Sequence, residues 1–469
     1  MKLYSGLLAL TLSSLSAWAA DATTTTVSVL SEKTMGTIPA NFIGLSYEKS
    51  AVTENHFRPD NLILVNLHKN LGSGVLRFGG NKVELTQWSR ETPKEKPAKG
   101  IFVATTSDMD KFYGFIKSID WKVIHAVNLS SNTPELFSDE ISYAVKIGGK
   151  SIMGFEIGNE PDHYDKDTKK LREKGYDYSQ YKPELEKAQA VILKQNPGIN
   201  LIGPATTSGG FKFFEPCVAD FKNKLSLSTS HFYPTSAIST PPPTCESLLS
   251  DGSKKKTIAM ADKHFAAAKK AGVPWRLAEC NSASMGGTDG VSDVFAAAVW
   301  GSDFLFDVAE HGATGVNLHT IFGQHGYTAI SYDKDKKNYA VRPLYYSLLL
   351  FKDAGNGKLI EADTKSTGNV VSHATLGTDG KLRVIVINKE LSKASNAVVL
   401  ANSKRTHGTI TRLSASSPTE QMAVSYGEGT VNKDGTWKLE KREDIKGSAG
   451  RFEIALPACS AAVLTLEVN

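Results

Sequence analysis

Between Phe42 and Phe322 the chain repeats one unit, a short apolar run followed by a loop or a helical stretch. The runs are Phe42–Tyr47, Gly74–Phe78, Trp121–Asn128, Ser151–Gly158, Asn200–Pro204, Leu225–Tyr233, Val273–Glu279 and Thr314–Ile321. Apolar runs of this length, bounded by Gly and Pro, suit strands covered on both faces. Between several of them the pattern turns helical. Lys182–Gln195 closes at Asn196-Pro197-Gly198, Lys255–Ala271 closes at Gly272, and Val291–Glu310 has Ser292 as its expected cap. Eight strand–helix units predict an α/β fold, a (β/α)8 TIM barrel. The stretches Lys49–Asn70 and Asp162–Tyr181 read as long loops on its active face.

The pattern changes after Tyr345–Phe351. Alternating strands separated by turn signals follow, with Arg383–Asn388, Gly408–Leu413 and Ala461–Val468 as strands and Asp379-Gly380, Asp434-Gly435 and Gly427-Glu428-Gly429 as turns. This is a β-sandwich signature. Thr24–Ser31 is also strand-like and is expected to join that sandwich, bringing both chain ends into one domain. The expected layout is a leader over residues 1–20, an N-terminal strand within 21–40, the barrel over 41–353 and a C-terminal β-sandwich over 354–469.

The first twenty residues begin with Lys2, continue as an apolar run from Leu3 to Leu15, and end in Ala17-Trp18-Ala19-Ala20. A positive start, an apolar middle and small residues at the end define a secretory signal peptide, cut after Ala19 or Ala20. The run is too short to span a bilayer, and no later segment is long and apolar enough. The mature protein is therefore expected to be secreted or periplasmic. Export permits disulfides, and of Cys217, Cys245, Cys280 and Cys459 the first two, which flank one strand–loop segment, are the expected pair. Cys280 reads as a buried thiol. The formal charge is +5, without a Lys/Arg-dense arm for nucleic acid, and Lys254-Lys255-Lys256 reads as a solvated loop. His163, His231, His264, His311, His319 and His325 are scattered, and no Cys/His spacing suggests zinc. No metal or cofactor is expected, and the sequence is silent on oligomeric state.

Two carboxylates carry the candidate chemistry. Glu160 follows the fourth predicted strand, directly after Asn159, and Glu279 ends the seventh. Parallel barrels place their chemistry at the ends of strands, and the fourth and seventh strand ends face each other across the mouth. One carboxylic acid and one carboxylate across a sugar bond are what glycoside hydrolysis needs. Glu160 is then the acid/base, with a pKa expected to be raised by the nearby Glu279 charge, and Glu279 is the nucleophile. Asn159 can reach a sugar 2-hydroxyl, and Arg77 is expected to pair with a carboxylate near the site.

Seven segments in order resemble glycoside hydrolase family 79, the β-glucuronidase and heparanase family. They are GLSYE (Gly44–Glu48), LRFGGNKVEL (Leu76–Leu85), EIGNEPDHY (Glu156–Tyr164), SHFYP (Ser230–Pro234), RLAECNSASMGG (Arg276–Gly287), GVSDVFAAAVW (Gly290–Trp300) and GQHGYTAI (Gly323–Ile330). The resemblance covers the whole barrel and implies a retaining enzyme with a barrel and a β-sandwich that includes an N-terminal strand. It implies that Tyr233 hydrogen-bonds the nucleophile region and that His231 supports it from the floor. It further implies that Glu48 and Asn81 contact distal hydroxyls of the terminal sugar. Tyr327 and backbone N–H groups near Gly286 and Gly287 would bind the uronate carboxylate. Ser284 stands where members of the family often carry Tyr, so one carboxylate contact is expected to be missing or supplied by another loop. The implied function is a retaining exo-β-glucuronidase acting on a glucuronic-acid-containing oligosaccharide, polysaccharide or glycoconjugate. The alternatives are an endo-acting heparanase-like hydrolase and a non-catalytic glycan-binding protein.

Overall fold

The computed structural model describes residues 22–323, 326–401 and 404–467, so the expected leader lies outside the described residues. Eight parallel strands close into a barrel in chain order: Gly44–Glu48, Val75–Gly79, Lys122–Val127, Ile152–Ile157, Leu201–Thr207, Leu225–Phe232, Trp275–Cys280 and Val316–Thr320, which pairs back with the first. Each coincides with a run predicted from the sequence. The inward positions are stratified. Val75, Ile124, Ile202 and Leu227 form a small apolar cluster of their own. Two residues further along the second and sixth strands come the polar Arg77 and Thr229, and beyond Thr229 comes His231. The barrel is thus apolar at one level and polar toward the strand ends. Outward residues such as Leu76, Phe78 and Val123 join the large core beneath the helices.

Tyr178–Gln195 is longer at its start than predicted, because Asp177 caps it by accepting the Ser179 N–H. Asp251–Ala271 likewise begins earlier, capped by Ser250. Lys254 is therefore helical, and it pairs with Asp303 at 2.8 Å and with Asp307, which corrects its reading as part of a solvated loop. Phe295–Glu310 starts after the predicted position, and Ser292 is not its cap. The Ser292 hydroxyl instead bonds Ser282 Oγ and the Thr288 N–H, holding the loop after the seventh strand. The stretch expected as a loop over Lys49–Asn70 contains a 3-10 turn (Lys49–Glu54) and a helix (Leu62–Lys69) whose Leu64, Val65 and Leu67 are buried. No described helix is long and apolar enough to cross a membrane.

Downstream of the barrel lies a ten-stranded sheet. Thr23–Ile38 sits inside it, antiparallel to Gly357–Ser366 and parallel to Ser395–Leu400, so the N-terminal strand does join the C-terminal unit. Lys381–Asn388 shows how the two units adhere. Its Val384 and Val386 face the sheet's own core, while Ile385 and Ile387 face the core shared with the barrel. Period-2 alternation gives this strand two apolar faces because both are covered. All four cysteines are free and buried, so the expected Cys217–Cys245 disulfide is absent. The Cys217 thiol lies on the buried side of the helix Phe211–Asp220, whereas Cys245 Sγ donates to the Gly290 carbonyl at 3.4 Å. Cys280 is fully buried, and burial first of all pushes its thiol pKa up, as expected of a packed rather than a reactive cysteine.

Candidate active site

Arg77 organises the mouth of the barrel. Its guanidinium donates to Glu156 Oε2 at 2.6 Å, Glu279 Oε2 at 2.9 Å, Asn159 Oδ1 at 2.9 Å and Ser46 Oγ at 3.2 Å. One fully buried fork thus links the first, second, fourth and seventh strands. The glycines that follow it have a local reason. A side chain at Gly79 would collide with that guanidinium. A Cβ at Gly80, where φ is +73°, would lie 2.6 Å from the Glu48 carboxylate.

Glu279 accepts from Arg77 and, at 3.0 Å, from the Tyr233 hydroxyl. His319 Nδ1 and His231 Nδ1 lie 3.8 and 4.0 Å from its Oε2. Burial would raise its pKa. The neighbouring His319, His231 and Arg77 outweigh burial and bring it down to about 2, so Glu279 stands ionised. Glu160 sits on a backbone in the left-handed region, φ +51°, tied through its N–H to the carbonyl of Ala205, which is left-handed as well. Its Oε1 lies 3.1 Å from His231 Nδ1 and its Oε2 3.1 Å from Lys169 Nζ. Burial again opposes ionisation, but the His231 hydrogen bond and the Lys169 charge hold the carboxyl well below its ordinary range. This corrects the expected raised pKa. The close cation Lys169, which had no place in the sequence argument, outweighs Glu279.

An oxygen of Glu160, an oxygen of Glu279 and a ring nitrogen of His231 all lie within 4.8 Å of one another. Atoms that close could also hold a metal ion, but Arg77 and Lys169 already supply positive charge to both carboxylates and oppose a further cation. Glu48 accepts the Lys82 N–H at 2.7 Å and faces His319 Nε2 at 3.8 Å. Asn81 is exposed beside it. Tyr327 is buried and stacks on Tyr233, with ring centroids 6.0 Å apart. Gly286 and Gly287 both take positive φ, and Tyr327 N–H donates to the Gly286 carbonyl at 3.3 Å. Among the residues singled out in the sequence, the two glutamates, Asn159, His231, Tyr233 and Tyr327 meet in one network. Glu48 joins it through His319, whereas Asn81 and the two glycines flank it.

Four participants were missed, one of them the buried Glu156 that Arg77 bonds. Lys169 is a second. His319 is another, at the end of the eighth strand, where position alone could have signalled it. The fourth is Glu84, a buried carboxylate that accepts from Asn159 N at 3.1 Å, Ser130 N at 2.8 Å and the Tyr164 hydroxyl. It holds the turn that presents Asn159 and Glu160.

A closed parallel barrel with two carboxylates at its fourth and seventh strand ends has the fold of the barrel glycosidases, and the comparisons agree. No family model matches the chain. It is 26% identical over 278 residues to a β-glucuronidase from Aspergillus niger, a match covering 52% of this chain and half the length of that relative. Among solved structures it is similar to a 4-O-α-L-rhamnosyl-β-D-glucuronidase from Fusarium oxysporum 12S, with TM-score 0.79 and 19% identity over 94% of this chain and 100% of that one. It is also similar to the GH51 arabinofuranosidase from Xanthomonas axonopodis pv. citri, with TM-score 0.70 and 15% identity over 95% of this chain and 100% of that one. The resemblance to β-glucuronidases drawn from the sequence is thereby borne out, as are the TIM barrel and the sandwich that includes an N-terminal strand.

Proposed function

We propose that this chain is a retaining exo-β-glucuronidase that removes terminal β-D-glucuronic acid from glycans or glycoconjugates. The observation that carries the proposal is that one carboxylate oxygen of Glu160 and one of Glu279 lie within 4.8 Å of each other, closer than an inverting pair that must admit a water between them. Retaining hydrolysis needs its carboxyl groups about 5–5.5 Å apart, whereas inversion leaves about 6.5–9.5 Å for a water molecule. In the first step Glu279 attacks the anomeric carbon and Glu160 gives a proton to the departing oxygen. In the second, Glu160 takes a proton from water, which attacks the same carbon and releases Glu279. The ionised state of Glu279, and the Arg77 and Tyr233 donors that fix its two oxygens, suit it to the nucleophilic role. Asn159 Nδ2 has no partner among the described residues and is assigned to the 2-hydroxyl. Tyr327 and the Gly286–Gly287 turn are assigned to the uronate carboxylate, where neutral donors avoid adding a competing buried cation. Glu48 and Asn81 are assigned to the distal hydroxyls. The names of the Aspergillus and Fusarium relatives support the uronide preference. Export through the leader in residues 1–20 belongs to the same proposal.

Release of p-nitrophenol from its β-D-glucuronide by wild type and Glu279→Ala tests the reading, with the β-D-glucoside, β-D-xyloside and α-L-arabinofuranoside in parallel. Activity on the glucuronide alone, lost in the variant, is the expected result. Activity confined to a neutral sugar would overturn the uronide preference.

A further inference from the structure

We propose that Cys245 and Cys459 are partners in a disulfide that fastens the barrel to the β-sandwich when the chain folds in an oxidising compartment. The proposal is independent of the substrate and draws only on the export proposed above.

A run of hydrogen bonds leads from one cysteine to the helix that carries the other. Cys459 lies in the turn between the sandwich strands Arg451–Leu456 and Ser460–Glu467, and its N–H donates to the Glu390 carbonyl at 2.7 Å. Glu390 Oε1 accepts the Asn369 N–H at 2.7 Å. The Asn369 side-chain amide donates in turn to the Leu249 carbonyl at 2.9 Å. Leu249 ends the short helix Cys245–Leu249, which belongs to the loop after the sixth barrel strand. A residue four places earlier lies on the same face of a helix, and here that residue is Cys245. Both thiols are buried, and both belong to the apolar core that barrel and sandwich share. Burial pushes the Cys459 thiol up to about 12, and the nearness of Cys245 adds to the rise. Lys389, next to Glu390, reaches Asp303 of the barrel at 2.8 Å, so the cross-link reinforces an existing contact rather than bridging a gap.

Cys245 has only a weak bond to give up, because a thiol is a poor donor to its Gly290 carbonyl at 3.4 Å. The turn at Cys459 does not itself call for cysteine. Its φ of +45° is a left-handed backbone that Gly or Asn takes with less strain. The other two cysteines sit elsewhere. Cys217 is on the helix Phe211–Asp220, which packs between Tyr178–Gln195 and Asp251–Ala271. Cys280 is in the barrel wall, with Sγ on the Asn317 carbonyl at 3.5 Å.

The bond forms by exchange with the disulfide of a thiol oxidoreductase or of oxidised glutathione. One cysteine attacks as thiolate, makes a mixed disulfide and releases one thiol of the oxidant. The second cysteine then displaces the other. Two protons and two electrons pass to the oxidant, which leaves as two thiols. In the folded chain burial suppresses both thiolates, so coupling belongs to the folding chain, before the junction closes. The bond would close a loop of about 200 residues, and long loops are where a cross-link most constrains the unfolded chain.

The test unfolds the full chain in reductant, refolds it with mixed oxidised and reduced glutathione, alkylates it under denaturing conditions and maps its peptides without reduction. Cys217 and Cys280 should be alkylated, and the Cys245 and Cys459 peptides should appear linked, lighter by two hydrogens than the free pair. Reduction should lower the thermal midpoint by about 5 °C. Cys245→Ser and Cys459→Ser should melt like the reduced wild type, with no response to reductant. The folded, reduced protein given the same glutathione mixture should couple at least about tenfold more slowly than the refolding chain. Four alkylated cysteines, or a link through Cys217 or Cys280, would overturn the pairing. A linked pair whose reduction leaves the melt unmoved would overturn the fastening role. If either variant does not fold, the wild-type map and melt decide. Turnover of the glucuronide should be equal in oxidised and reduced protein, so this proposal and the glucuronidase reading fail separately.

Discussion

His373 offers a quantitative test of how the two structural units hold together. It lies on the sandwich strand Val370–Gly377 and stacks on Phe306 of the barrel helix Phe295–Glu310, with ring centroids 5.0 Å apart. Its Nδ1 meets Glu310 at 2.7 Å and its Nε2 meets Asp303 at 3.0 Å. Lys254 and Lys389 each reach Asp303 at 2.8 Å, and Lys254 also reaches Asp307. Three acids thus face two lysines, and a protonated His373 balances the cluster. Burial opposes that charge, but Glu310 and Asp303 outweigh it and raise the pKa from 6.5 to about 9. A raised histidine contributes stability fully present below its unfolded pKa and lost as pH climbs through the folded one. The rise, at about 1.4 kcal/mol per pH unit, comes to about 3 kcal/mol. Thermal melts of wild type and His373→Gln should therefore differ most near pH 6. The gap should close by roughly 3–6 °C by pH 10, scaled to a chain of this size. A gap that stays constant from pH 6 to 10 would refute the assignment of that charge to His373.

Other perturbations separate positioning from binding. Arg77→Met leaves Glu156 and Glu279 without their buried partner and should cost about 3–5 kcal/mol, read by chemical denaturation. Glu84→Gln keeps the volume but weakens the acceptor for Asn159, Ser130 and Tyr164; kcat should fall by about tenfold or more with KM little changed, because the turn loosens rather than the sugar contacts. Gly287→Ala forces a Cβ to 2.6 Å from Tyr327 N at a φ of +87°, so KM for the glucuronide should rise with the β-glucoside unaffected. On the retaining reading, Tyr233→Phe removes one donor to Glu279 and should slow glycosyl-enzyme formation by about tenfold, seen in pre-steady-state kinetics.

The barrel was legible because most of its strands are apolar runs bounded by turn signals; the sixth, Leu225–Phe232, alternates Leu with Ser at its start, and the polar level of the interior beyond it became visible only in the fold. The two glutamates were legible because they end such runs. The charge network was not. Lys254 and Lys169 look alike in a sequence, each one lysine in a basic stretch, yet one bridges two aspartates and the other touches Glu160. What distinguishes them is the element packed opposite, Phe295–Glu310 for Lys254 and the fourth strand end for Lys169. Glu84 was hidden differently. It lies in the quoted LRFGGNKVEL segment, but only folding brings Asn159, Ser130 and Tyr164 onto its two oxygens. The Cys217–Cys245 expectation failed for a related reason, since proximity in sequence said nothing of which side of each helix the thiols occupy.

On the glucuronidase reading, with Glu160 as acid and Glu279 as nucleophile, the same network constrains when a uronide can be cleaved. Glu156 and Glu279 meet Arg77, Glu160 meets Lys169, and Glu48 faces His319 beside them, four carboxylates against one arginine and one lysine. A glucuronate adds a fifth negative charge to that balance. Binding and protonation of Glu160 therefore favour each other: the proton that the acid must donate also removes the charge that would repel the substrate. His319 acts in the same direction. Burial disfavours its charged ring, yet Glu279 and Glu48 outweigh burial and raise its pKa, so at acidic pH it adds a positive charge beside the nucleophile. Glu279, held down to about 2, stays ionised throughout that range. On the glucuronidase reading, kcat is then highest on the acidic side of neutrality, with its alkaline limb set by the proton on Glu160 in the substrate complex.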